Sequence, residues 1–138
     1  MSNCDTEIGG YYNSRMEDIR KLWSMYMLDT EEYDYDLGNM YEYGLAFDYV
    51  APGTFKDQRE GYFRWQLSWG GPSDEFRFYA NKAKRGWWRA YRIEYHYHNW
   101  FCGTHINMSG DDLGLLDEIF ENFFDASADH VYEKATEY

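Results

Sequence analysis

From Gly61 to Met108 the chain alternates apolar and polar residues with a period of two, as strands do when successive side chains point to opposite faces. Over 61–69, Phe63, Trp65, Leu67 and Trp69 fall on one face and Tyr62, Arg64, Gln66 and Ser68 on the other. Gly70-Gly71-Pro72-Ser73-Asp74 then predicts a turn, because glycine supplies positive φ and proline fixes the backbone. A strand over 75–80 places Phe76 and Phe78 inward. The basic segment Asn81 to Gly86 reads as a hairpin loop whose tip carries Lys82, Lys84 and Arg85. A strand over 87–97 sets Tyr91, Ile93, Tyr95 and Tyr97 against Arg92, Glu94 and His96, and a short one over 104–108 sets Thr104, Ile106 and Met108 against His105 and Asn107. Upstream, 44–50 alternates Leu45, Phe47 and Tyr49 with Ala46, Asp48 and Val50 before Pro52-Gly53 ends it, and a polar connection over 54–60 follows.

The flanks carry a helical period instead. Ser14 and Glu17 have capping-box spacing, and Met16, Ile19, Leu22, Trp23 and Tyr26 recur every three or four residues, predicting a helix from Ser14 to about Leu28. Asp29 or Thr30 suits the start of a short second helix that Gly38 stops. Ser109, with Asp111 and Asp112 in the first turn, opens a last helix with Leu113, Leu116, Ile119, Phe120, Phe123 and Phe124 on its core face. The expected architecture is one α+β domain over 1–138, a four- or five-stranded antiparallel sheet packed by an N-terminal and a C-terminal helix. Within it, 1–13 is a flexible lead-in, 14–42 a helical acidic segment, 43–108 the sheet, and 109–138 an acidic helix and a tail that after Ala126 is either polar coil or a continuation of helix around Val131 and Tyr132.

Composition changes the expected core rather than the fold. Aromatics make up 22% of the 138 residues, so Trp, Tyr and Phe must fill most of the interior, with their polar tips paired or at the periphery. Two cysteines, Cys4 and Cys102, fall short of a disulfide framework, and no signal-like start or long apolar run is present, which points to a soluble protein of a reducing cytoplasm.

The net charge is −12 and unevenly spread. Residues 1–60 hold 13 acids against 5 bases, 61–108 hold 3 against 7, and 109–138 hold 9 against 1. A basic sheet between two acidic flanks argues against a direct grip on nucleic acid, since the flanks would repel a polyanion. Arg64, Arg77, Arg89 and Arg92, beside Tyr62 and Tyr79, are therefore expected to pair with the protein's own carboxylates rather than with phosphates.

No strong catalytic motif appears, so the reading is non-enzymatic and calls for no cofactor. The candidate metal set is His96, His98, Cys102 and His105, two strand histidines at i and i+2 with further donors on the next strand. Cys102 with His98 or His105 is also a conceivable nucleophilic dyad, although a structural thiol is the simpler reading. The candidate partner-binding carboxylates are Asp29, Glu31, Glu32, Asp34, Asp36 and Glu42 in the first flank and Asp117, Glu118, Glu121 and Asp125 on the last helix. Acids spaced along such elements, interleaved with rigid tyrosines, imitate a phosphate backbone. The bland alternative is a solvated acidic face whose tyrosines lean on the core.

Four stretches carry a family resemblance: Tyr43-Gly44-Leu45-Ala46-Phe47-Asp48-Tyr49-Val50-Ala51-Pro52-Gly53-Thr54-Phe55; Gly61-Tyr62-Phe63-Arg64-Trp65-Gln66-Leu67-Ser68-Trp69-Gly70-Gly71-Pro72-Ser73; Glu75-Phe76-Arg77-Phe78-Tyr79; and Tyr91-Arg92-Ile93-Glu94-Tyr95. From Tyr43 to Asp125 the chain resembles a family of small acidic proteins carried by bacterial plasmids, integrated elements and phages. The family brings no catalytic residue set. What the resemblance implies is a setting, that of the anti-CRISPR and antirestriction inhibitors of host defence, several of which imitate DNA or RNA. The expected partner is then a host defence nuclease or CRISPR effector with a basic groove, in the cytoplasm of a bacterial host. Neither direct nucleic-acid binding nor a membrane is expected, and a homodimer is compatible with the sequence. A metal- or Cys/His-dependent enzyme acting on nucleic acid and a non-inhibitory mobile-element interaction module are the competing readings.

Overall fold

A computed structural model describes residues 3–84 and 86–137. Met1 and Ser2 of the expected lead-in, Arg85 of the basic tip and Tyr138 of the tail lie outside the described residues. The elements run α1 (Asn3–Leu28), β1 (Ala46–Val50), β2 (Tyr62–Ser68), β3 (Ser73–Lys82), β4 (Trp88–Asn99), β5 (Cys102–Asn107), α2 (Gly110–Asn122) and α3 (Asp125–Thr136). The five strands form one antiparallel sheet in the order of the sequence, and the helices pack on one face of it. This is the expected α+β architecture with its larger strand number. Among the described residues no helix is long and apolar enough to cross a membrane.

Alternation dictates which side chains the helices cover. Phe63, Trp65 and Leu67 of β2, Phe76 and Phe78 of β3, and Ile93, Tyr95 and Tyr97 of β4 are buried together with Ile19, Leu22 and Trp23 of α1 and Leu116, Ile119 and Phe120 of α2. Stacked and edge-on ring contacts link the layers, including Phe78 on Phe120 at 4.8 Å between ring centres and Phe47 on Phe124 at 4.2 Å. Ring pairs of this kind each add about 0.5–1.5 kcal/mol beyond area burial.

Three expectations are corrected. The flexible lead-in is helix, since α1 begins at Asn3 rather than at Ser14. Cys4 and Ile8 extend the apolar stripe at four-residue spacing and are buried, while Gly9 and Gly10 sit on the open side with nothing near them. Each glycine costs a helix roughly 0.8–1 kcal/mol relative to alanine, which burial of Cys4 and Ile8 offsets. No second helix follows: 29–43 is a series of turns held by the Asp34–Gly38 bridge and by Asp34 Oδ1, which accepts from the backbone N–H groups of Asp36 and Leu37. Local Asx hydrogen bonds compete with the helical ladder, and in this Asp-rich stretch they win. The C-terminal tail is helical around Val131 and Tyr132, as one of the two expected forms, and makes a separate helix, α3. Lastly, two register shifts re-aim side chains. One, at Gln66–Ser68, precedes a Trp69 that is 76% exposed, and the other, at Tyr79–Ala80, turns Tyr91 to the open face beside Tyr79 with its hydroxyl toward Glu60.

The shift in β2 also brings the Ser68 hydroxyl to Asp74, a carboxylate that is 2% exposed on the helix side. Arg15 of α1 meets the same carboxylate with two hydrogen bonds, Nε at 2.7 Å and Nη2 at 3.0 Å, and the Tyr95 hydroxyl adds a fourth bond at 2.7 Å. Arg15 also donates to the Tyr43 hydroxyl, which in turn donates to Asp18. This buried network fixes α1 over the sheet.

Cys4 and Cys102 form a disulfide that joins the start of α1 to β5 across 98 residues of sequence. The reading of Cys102 as a free structural thiol is thereby corrected.

Candidate functional site

The acidic flanks meet at one end of the molecule. The chain leaves α1 beside Tyr26 and returns to it at Tyr41, and both rings pack on Phe123 at the end of α2, with centres 5.4 and 5.3 Å away. Asp125, the first residue of α3, lies near enough to Tyr26 to push its hydroxyl pKa upward, after the larger effects of Tyr41 and burial. This aromatic junction thus brings the turn segment 29–42 and the α2–α3 corner together.

The ten candidate carboxylates divide by what already engages them. Asp34 binds Lys21 at 2.6 Å, and that hydrogen bond, reinforced by the Leu37 N–H, holds its carboxyl below the usual range. Glu118 accepts from the Trp23 indole at 2.9 Å, and Glu121 faces Arg89 at 3.4 Å. Asp117 is partly buried, with an Oδ1 that has no hydrogen-bond partner, and burial followed by the charge of Glu121 raises its pKa. These four serve the fold or sit in its flank. Asp29, Glu31, Glu32, Asp36, Glu42 and Asp125 are exposed. Tyr33 and Tyr35 stand among them at 57% and 96% exposure, so the outward surface alternates carboxylates with tyrosines.

The sheet face away from the helices is an ordered polar lattice. Facing pairs include Asp48 with Arg64, Arg64 with Arg77, Arg77 with Glu94, Glu75 with His96, and His96 with His105. All four arginines of the basic group pair with the protein's own carboxylates: Arg64 with Asp48, Arg77 with Glu75, Arg92 with Glu60 and Glu94, and Arg89 with Glu121 of α2. The Arg77 guanidinium lies over the Tyr62 ring at 4.6 Å and that of Arg92 over Tyr79 at 3.9 Å. Stacked long side chains shield Glu75 and Glu94, each 8% exposed on a face that no helix covers.

Strand parity decides the histidine group. His96, His98 and His105 lie on this open face, with His96 stacked between the other two at 6.2 and 4.8 Å. Cys102 has the opposite parity to His105 and is bonded to Cys4 of α1 on the helix side. The proposed metal set and the Cys–His dyad are therefore split across the sheet. Among the described residues no group of three or more His, Cys, Asp or Glu side chains is placed to hold a metal ion. His96 instead donates Nε2–H to Glu94 Oε1 at 2.8 Å. Burial, aided by the charge of Arg77, brings its pKa down to about 3 against the pull of Glu94. Burial would push Glu94 up, but the hydrogen bond from His96, with Arg92 alongside, holds it below the usual range.

The connection over 54–60 is also more than a spacer. Glu60 accepts from Arg92 at 2.7 Å, bringing the segment against the open face. Its sequence signal was slight: Lys56 and Arg59 are two of five bases among the first 60 residues, which hold 13 acids.

No protein-family model matches the sequence, and no curated protein or solved structure matches it either.

Proposed function

We propose that the protein inhibits a nucleic-acid-targeting defence complex of a bacterial host, an anti-CRISPR or antirestriction function, by presenting an acidic surface to a basic nucleic-acid channel. The observation that supports this reading is the junction of Tyr26, Tyr41 and Phe123, which gathers the exposed carboxylates of 29–42 and Asp125 at one end. Acids on a braced support lose little freedom on binding, and the exposed Tyr33 and Tyr35 offer large, rigid contact area between them. Charge complementarity of this sort accelerates association and weakens as salt screens it, over about 8 Å at physiological ionic strength. The lattice of internally paired arginines fits the same reading, because it leaves the sheet poorly suited to gripping a polyanion itself. The basic-channel partner and the cytoplasmic setting rest on the family resemblance. In that compartment Cys4 and Cys102 would be held as thiols, so the fold must persist without their bond.

The test is a pull-down from host lysate at low and high salt, followed by a DNA-binding assay on the recovered complex. Recovery at low salt of a CRISPR effector or restriction enzyme, displaced by competitor DNA, is expected. The combined variant Glu31→Gln, Glu32→Gln, Asp36→Asn and Glu42→Gln should lose that capture while remaining folded. Binding to nucleic acid itself with no protein partner overturns the proposal.

A further inference from the structure

A cavity of about 440 Å³ opens where the segment over 55–60 meets the free face of the sheet. Its floor is Tyr62 of β2, Arg77 and Tyr79 of β3, and Arg92 of β4. Its wall is braced internally by one side chain. The Gln58 side chain accepts from the Phe55 N–H and donates to the carbonyls of Ala51 and Glu60, while the Gln58 backbone carbonyl accepts from the Gly53 N–H. Floor and wall are thus both fixed before any ligand arrives, a condition that lowers the entropic cost of binding.

The lining gathers four cationic side chains in a protein of net charge −12. Lys56, Arg59, Arg77 and Arg92 face it beside Asp57 and Glu60, and the carboxylates of Glu75 and Glu94 offset the two sheet arginines. Arg77 and Arg92 are held flat on the two tyrosine rings and tied by carboxylates. Lys56 and Arg59, in contrast, have no ion pair or side-chain hydrogen bond among the described residues. Screening confines the influence of distant acids to about 8 Å at physiological ionic strength, so the lining rather than the total charge sets what binds.

We propose that this cavity binds a small ligand bearing a phosphate monoester, of mononucleotide size. A phosphate monoester carries close to two negative charges at neutral pH, matching the two cations, Lys56 and Arg59, that no carboxylate holds among the described residues. Planar guanidinium groups and a lysine are the side chains that recognise such an anion through charge-assisted hydrogen bonds. Phe55, 53% exposed at the rim, offers a ring face to the organic group of the ester. The volume falls within the range of small-molecule sites. Lys56 and Arg59 take the phosphate, and the sheet arginines supply the floor. The site is independent of the acidic surface proposed to bind a defence complex.

The experiment is titration calorimetry of the full chain with adenosine monophosphate and, separately, adenosine. Saturable one-to-one binding of the monophosphate is expected, with no binding of the unphosphorylated nucleoside. Lys56→Ala and Arg59→Ala should each weaken it about tenfold, the range for a hydrogen bond to a charged group. Lys84→Ala, which removes the same charge from an exposed hairpin tip, should leave affinity within about twofold. Circular dichroism checks that the exposed variants remain folded. Absence of binding at millimolar monophosphate overturns the proposal, as does equal affinity for adenosine or unchanged affinity in both Lys56→Ala and Arg59→Ala.

Discussion

Replacing Asp74 with alanine tests whether the buried network holds α1 to the sheet. The side chain is 1% exposed and accepts from Arg15, Tyr95 and Ser68, while the Arg15 side chain is 23% exposed. Removing the carboxylate leaves a largely buried guanidinium without its counter-charge and the Tyr95 hydroxyl without its acceptor. Breaking one side of a buried pair costs about 3–5 kcal/mol, a large share of the roughly 5–15 kcal/mol by which a domain is stable. With an m-value of about 2 kcal/mol per molar urea, the unfolding midpoint should fall by about 2 M. Asp74→Asn keeps the shape but sets an amide N–H₂ against the arginine, and should fall between the two. The assay is urea unfolding followed by tryptophan fluorescence, run also on Arg15→Ala and on the double variant. Because the two residues share one interaction, the double variant should be less destabilised than the sum of the singles by about 2 kcal/mol. A loss under about 1 kcal/mol in Asp74→Ala, or strict additivity in the cycle, refutes this account of the network.

Three further outcomes are expected. Reducing the Cys4–Cys102 bond, which spans 98 residues, should lower stability by up to about 4–5 kcal/mol on the loop-entropy relation, read as the difference between urea curves with and without dithiothreitol. Thiol titration of the oxidised protein should detect no free cysteine before reduction. His96, whose folded pKa lies at about 3, binds its proton less readily folded than unfolded. Its contribution is complete above the unfolded value of about 6.5 and falls by up to ~1.4 kcal/mol per pH unit as the solution is acidified toward the folded value. His96→Gln should flatten that part of the pH–stability curve between about pH 6.5 and 4.5, where most carboxylates have yet to protonate; an unchanged slope counts against it. Asp117→Asn removes a charge whose Oδ1 is buried without a partner, and should raise the urea midpoint by the equivalent of about 1 kcal/mol at pH 7. A fall in the midpoint would show that the carboxylate is stabilising.

Much of the sheet was legible because alternation is a local property: Phe63, Trp65, Phe76 and Phe78 announce their face within a few residues of chain. The arginine pairing was legible from charge balance, since acidic flanks repel a polyanion and at the same time supply carboxylates to the sheet. Other features depend on register and distance. Tyr91 reads as inward by parity, but the shift opposite Tyr79–Ala80 moves it out. The start of α1 was hidden because Cys4 and Ile8 acquire an apolar surface only after β5 and the inner sheet are in place, and Gly9-Gly10 argues locally for a loop. The two acidic flanks are legible as a candidate surface, yet nothing in their own residues marks Asp34, Glu118 and Glu121 as already engaged.

The sequence by itself determined the class of fold, the aromatic core and the separation of charge, all of which follow from periodicity and composition. Tertiary structure alone decided the rest: that Cys102 faces Cys4 and not the histidines, that Asp74 is buried against Arg15, and that Phe55 to Glu60 closes a cationic cavity over Tyr62 and Tyr79. The first two join residues 98 and 59 positions apart and the third brings 55–60 against Tyr79 and Arg92, and such pairs are chosen by strand parity, register and packing, not by any pattern their neighbours carry.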